Sequence, residues 1–300
     1  MIFNGIDQVI TSEQMSVFNE SIHYLSGGSG DELVLFLHGV PTSSYLWRNI
    51  LPEVGKDFKV IAPDLIGMGQ SSKPLIDYTI HDHINYMSEF IQKLQFDKIH
   101  LVLHGWGSVI GFDYARRFSD KIESMTFFES HIRPIEDRSM LSLPMQEFMS
   151  ILERVDSVER LICDDHLMLK GLLAAESIDV LSEEVKQVYL EPFQSKEDFK
   201  PLIQYVKEFP TGILSDHTLP VIESYAQWLQ STSIPKLMLY AMPGFMTTID
   251  TVAWAKSTLK CIDIIELPEA LHLPQETNPA MFSGALLPWL KSHSNGFANA

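Results

Sequence analysis

The stretch Ile99-His100-Leu101-Val102-Leu103-His104-Gly105-Trp106-Gly107-Ser108-Val109-Ile110-Gly111-Phe112 constrains the fold more than any other. A short apolar run meets a glycine-rich corner and then residues at helical spacing. That pattern predicts a buried strand, a tight turn and a helix. It is the shape of a nucleophile elbow, the strained strand-to-helix turn that lifts a reactive side chain over the end of a parallel sheet. A serine, cysteine or aspartate belongs at the tip. Here the tip is Gly105, which has no side chain.

Around the elbow, strands alternate with helices. Apolar runs predict strands over 21–25, 33–37, 59–62, 124–128, 236–240 and 262–266, with helices over 81–94, 219–229, 251–257 and 281–289. The alternation predicts an α/β fold with a mostly parallel sheet and helices on both faces. Ser43 or Ser44 is placed to cap a helix that turns Trp47 and Ile50 inward. Between 130 and 213 the strands stop and helical spacing takes over, at 145–155, 160–173 and 182–189. The expected organisation is a core over 1–129, a helical cap over 130–213, the rest of the core over 214–291 and a flexible tail over 292–300. Residues 1–20 read as an irregular lead-in, helical or extended.

The 300 residues carry 39 Asp and Glu against 22 Lys and Arg, a formal net charge of −17. Such acidity argues against a nucleic-acid partner, which needs clustered positive charge. No apolar run approaches the roughly 18 residues of a membrane span. The start of the chain lacks the basic and long apolar segments of a signal peptide. The expectation is a cytoplasmic protein without a membrane partner. Cys163 and Cys261 are isolated and imply reduced, partly buried thiols. No His/Cys/Asp cluster has metal-ligand spacing. Gly107-Ser108-Val109-Ile110 does not make a Gly-x-Ser-x-Gly motif, and the elbow glycines lack dinucleotide-loop spacing. No cofactor is therefore expected. The oligomeric state is left open.

Several blocks share one resemblance. They are His38 to Asn49, Pro63-Asp64-Leu65-Ile66-Gly67-Met68-Gly69, the elbow, Glu129 with Ile132-Arg133-Pro134, Glu191-Pro192-Phe193, and Leu271-His272 with Gln275-Glu276. In that order, over about residues 18–291, the chain resembles the haloalkane dehalogenases of the α/β-hydrolase fold. The resemblance implies a mechanism. An elbow aspartate displaces halide from carbon and forms an alkyl-enzyme ester. A histidine, oriented by a carboxylate, activates the water that hydrolyses it. A tryptophan and an asparagine hold the halide.

Carried over by position, His272 matches the base, Glu129 its orienting acid and Trp106 the tryptophan. The nucleophile position holds Gly105 and the asparagine position holds Val40. Without a carboxylate no ester forms, so ordinary dehalogenase activity is not expected. The same match puts Met168, Leu172, Phe245, Met246 and Leu273 around a hydrophobic pocket for an apolar small molecule, with Glu176 near its mouth. The retained pair His272 and Glu129 favours a divergent enzyme doing non-covalent acid/base chemistry: elimination, cyclisation or water activation. The backbone N–H groups of Val40 and Trp106 would form its oxyanion hole. The alternatives are a dehalogenase inactivated naturally or by engineering, and a non-catalytic protein that binds a hydrophobic ligand. Asp250 is a weaker candidate partner for His272, Asp64 reads as a loop-fixing residue and His104 as a buried structural one.

Overall fold

A computed structural model describes residues 3–5, 8–154, 158–164, 168, 181–209, 217–294 and 296. Among these residues nine strands form one sheet in the order β1-β2-β3-β5-β4-β6-β7-β8-β9. The parallel part comprises β4 (Leu33–Leu37), β5 (Lys59–Pro63), β6 (Ile99–Gly105), β7 (Ile122–Ser130), β8 (Lys236–Tyr240) and β9 (Ile262–Glu266). Every residue of β4 and β6 is buried. Strands covered on both faces need continuous apolar runs, which is why these two stand out in the sequence. The edge strand β9 is largely exposed.

The opposite edge corrects an expectation. The described residues of the expected lead-in are extended rather than irregular or helical, and they join the sheet. β1 (Phe3–Gly5) and β2 (Gln8–Val17) pair antiparallel, and β2 pairs antiparallel with β3 (Glu20–Gly27). Phe18 and Asn19 link β2 to β3 with φ of 49° and 67°. Two left-handed residues give a hairpin turn whose twist matches the strands. β2 exposes Thr11 through Gln14 and buries Ile10 and Val17 at its two ends. It therefore lacks the alternation that marks a half-buried strand.

The helix Ile80–Lys93 shows how the flanking layer forms. Thr79 and Asp82 make a capping box at its start, and Ile80, Ile84, Met87, Phe90 and Ile91 bury one face. The connection from β7 to β8 carries the helices Leu143–Arg154, Val158–Cys163, Glu183–Leu190, Lys200–Glu208 and Thr218–Ser231. Most of these form the helical cap region. Leu172, Glu176 and the second half of the helix expected over 160–173 lie outside the described residues. One buried network ties this region to the core: Glu276 accepts two bonds from Arg48 at 2.6 Å and one from the Tyr189 hydroxyl at 2.5 Å. In the expected tail, Ser294 is buried and donates to Glu32. Cys163 is half-buried as expected, but Cys261 is exposed; both are free thiols.

The sheet delivers the elbow. β6 ends at Gly105 and the helix Trp106–Arg117 begins at the next residue. A Cβ on Gly107 would sit 2.6 Å from the carbonyl oxygens of both Leu37 and His38. The first turn of this helix thus packs directly onto the end of β4, and only glycine permits it. Gly107→Ala is expected to cost about 1–3 kcal/mol by overpacking. Urea denaturation checks this. A change below about 0.5 kcal/mol, the range of an ordinary surface substitution, would contradict the close packing.

Candidate active site

Glu129 stands at the C-terminal end of β7 with φ of 49°, a left-handed backbone rarely adopted by glutamate. Its carboxylate is 1% exposed. Oε2 accepts from the Met246 N–H at 2.5 Å and Oε1 from the Thr247 N–H at 3.1 Å. His272 Nδ1 lies 2.8 Å from the same Oε2. A carboxylate held by two amides only accepts, so Nδ1 carries the proton and Nε2 is the basic atom. The backbone of His272 is held as well. His104 Nε2 donates to the His272 carbonyl at 3.0 Å, and the two rings lie 4.6 Å apart. Burial, reinforced by His272, pushes the His104 imidazole well below its ordinary value. His104 is therefore neutral and structural, as expected. Asp250 is exposed on the helix Ile249–Thr258, and Glu129 takes the place beside His272.

Gly105 has φ 50° and ψ −124°. This is elbow geometry without an elbow side chain. Among the described residues, a Cβ built there would meet the Gly39 Cα alone, at 3.3 Å. The loop carrying Gly39 and Val40 thus abuts the tip from the β4 side. Val40 is half-buried. Trp106, the first residue of the helix, is 2% exposed, and its ring meets Tyr205 edge-on at 5.1 Å. Of the expected pocket residues, Met168 and Leu273 are buried, while Phe245 and Met246 are half-buried. Phe245 faces the His272 ring at 5.4 Å. Leu172 lies outside the described residues.

One residue here gave no signal in the sequence. His131 is 3% exposed, and neither ring nitrogen has a hydrogen-bond partner among the described residues. Its ring lies 5.9 Å from that of Trp106 and 5.6 Å from that of Phe209. Its backbone N–H donates to Ser108 Oγ at 3.0 Å, and Ser108 donates to the Gly105 carbonyl at 2.6 Å. Its carbonyl accepts from the Tyr225 hydroxyl. The imidazole is thus fixed to the back of the elbow. Burial, with a smaller effect from His272, pushes it down to about 3, so it is neutral. A polar residue just past Glu129 was the one available clue. The helix Lys200–Glu208 and Phe209, which supply the rings around Trp106 and His131, were not singled out either.

The model of a family described as alpha/beta hydrolase fold matches residues 32–157. A haloalkane dehalogenase of Mesorhizobium japonicum is 31% identical over 279 residues, covering 92% of this chain and 90% of that protein. The chain belongs to the haloalkane dehalogenase family. A second haloalkane dehalogenase, from Sphingobium indicum, is 35% identical over 233 residues, covering 75% of this chain and 77% of the relative. The crystal structure of the haloalkane dehalogenase DbeA from Bradyrhizobium elkani superposes with a TM-score of 0.89 at 31% identity, covering 95% of this chain and 98% of that one. This haloalkane dehalogenase homologue thus has the family's fold over almost its whole length. No helix among its described residues is long and apolar enough to cross a membrane.

Proposed function

We propose that this dehalogenase homologue is a divergent enzyme in which His272, oriented by Glu129, acts as a non-covalent acid/base on an apolar small molecule. One observation carries the reading. The buried 2.8 Å contact between His272 and Glu129 is intact beside an elbow whose tip has no side chain. An oriented imidazole is suited to moving a proton, and a bare tip can form no covalent intermediate. Met168, Leu172, Phe245, Met246 and Leu273 would line the pocket, and no cofactor takes part.

Cyclisation of a vicinal halohydrin illustrates the chemistry. His272 Nε2 takes the hydroxyl proton as the oxygen closes on the neighbouring carbon. The carbon–halogen bond breaks and halide leaves toward the Trp106 indole N–H. The amides of Val40 and Trp106 would steady developing negative charge. Elimination and direct attack by water use the same base.

The test compares the native chain with His272→Gln on haloalkanes, halohydrins and epoxides. Loss of the base is expected to lower turnover by about 10²–10⁴-fold. Equal turnover in both proteins would overturn the reading. An inactive dehalogenase is the second reading. It is favoured by the single contact that a Cβ at Gly105 would make among the described residues. A third reading, a non-catalytic binder of a hydrophobic ligand, predicts binding that His272→Gln leaves unchanged.

A further inference from the structure

A second constellation lies on the other side of the sheet's C-terminal edge, where β2, β3 and the end of β5 meet. Ser12 Oγ is 2.8 Å from His23 Nε2, and His23 Nδ1 is 2.7 Å from Asp64 Oδ2. The serine is exposed, the histidine 2% and the aspartate 1% exposed. Asp64 also accepts from the Ser44 N–H at 2.7 Å and the Gln70 N–H at 2.8 Å. Burial alone would raise its carboxyl, but the His23 hydrogen bond holds it below the ordinary value. An acceptor-only carboxylate fixes the proton on Nδ1, so Nε2 is the acceptor and the Ser12 hydroxyl donates to it. This is the tautomer and direction of hydrogen bonding in a hydrolytic triad.

The three residues open into a cleft of about 340 Å³ that is also lined by Leu25, Val188 and Pro192. Ser43 lines it too. Its hydroxyl accepts from the Tyr45 N–H at 3.3 Å, which leaves its own hydrogen to meet a developing oxyanion. Glu191 adds negative charge to the walls. The cleft therefore suits an uncharged ligand with a short apolar group and repels carboxylates. None of its lining residues belongs to the His272 site. The His23–Asp64 pair by itself fixes loops, as the sequence reading expected of Asp64. The exposed hydroxyl on the outer nitrogen is what loop-fixing does not require.

We infer that Ser12, His23 and Asp64 form a second, independent hydrolytic site for small uncharged carboxylic esters. Ser12 Oγ attacks the ester carbonyl carbon as its proton passes to His23 Nε2. The bond to the alkoxy oxygen breaks, and the alcohol leaves with that proton. Water then attacks the acyl-serine and gives its proton to His23, which returns it to Ser12 Oγ as the carboxylic acid departs. p-Nitrophenolate is a much better leaving group than the serine alkoxide, so with an activated ester acylation is expected to outpace deacylation.

A fluorophosphonate probe and p-nitrophenyl butyrate test this. The expected result is one adduct, mapped to Ser12 by peptide mass spectrometry, with a burst of p-nitrophenol. Ser12→Ala, a change at an exposed strand position, is expected to lose the adduct and about 10²-fold of the ester hydrolysis, the worth of a positioned general base. Its thermal unfolding should match the native chain. An unmodified Ser12 at millimolar probe, an adduct confined to another serine, or unchanged hydrolysis in Ser12→Ala would each overturn the inference.

Discussion

Gly105→Asp is expected to convert a chain that forms no alkyl ester with a haloalkane into one that forms the ester and releases halide through it. The surroundings make the demand small. Among the described residues a Cβ at position 105 meets one atom, the Gly39 Cα at 3.3 Å, a close contact that the loop relieves by shifting a few tenths of an ångström. The backbone already has the elbow conformation, at φ 50° and ψ −124°. An aspartate held there is strained by about 1–3 kcal/mol, a cost that functional sites routinely carry. The base, its carboxylate and Trp106 are in place beside it. The variant should form an alkyl ester with a haloalkane, visible as an added mass on the quenched protein, and then release it through His272. Val40→Asn in the same chain would supply one more donor to the departing halide. Donors of this kind are worth about 10²–10³-fold. Halide release is therefore expected to rise in that order: native, Gly105→Asp, then the double variant. Silence in all three would mean that the pocket no longer admits haloalkanes.

The second large effect is on stability in acid. Burial pushes His83 from 6.5 down to about 4, and burial with His272 pushes His131 from 6.5 down to about 3. Below pH 6.5 the unfolded chain binds protons at both sites, while the folded chain binds them only near the lowered values. The unfolded state thus binds more protons, so stability falls as the pH drops. The stability is fully present above pH 6.5 and is lost progressively toward pH 4 and then pH 3. At about 1.4 kcal/mol per pH unit, each imidazole costs roughly 2 kcal/mol at pH 5. Burial lowers His38 and His104 too, which acts in the same direction. Against a typical total of about 5–15 kcal/mol this is a large share. Urea denaturation at pH 7 and pH 5 measures it, and His131→Leu isolates one imidazole. That variant should lose about 2 kcal/mol less than the native chain over the interval. It should also be more stable at pH 7, because two unpartnered polar atoms are removed. Equal losses in the two proteins would contradict the burial argument.

The two predictions rest on residues that were unequally visible in the sequence. Glu129 and His272 were assigned through the resemblance of the blocks around them, whereas Gly105 could be read because it closes a buried strand, and buried strands leave apolar runs. β4 and β8 were read to the residue for that reason. β2 was missed because its exposed side chains carry no alternation and its turn uses Phe18 and Asn19 in place of glycine. His131 was missed because nothing local marks a histidine as unpartnered. That property belongs to Trp106, Phe209 and Ser108, which come from elsewhere in the chain. The triad-like contact of Ser12, His23 and Asp64 was invisible for the same reason, since it needs the β2–β3 register and the end of β5.

The central claim is that His272 and Glu129 work without a covalent partner. The most direct measurement is a single turnover in ¹⁸O-water on an epoxide or halohydrin, with the protein quenched and weighed. Esters are left out so that Ser12 does not contribute. Any oxygen added is expected to come from solvent in the first turnover, with the protein mass unchanged, and His272→Gln is expected to slow conversion by about 10²–10⁴-fold. A mass adduct at the reaction centre, or conversion at an unchanged rate without His272, would contradict the claim.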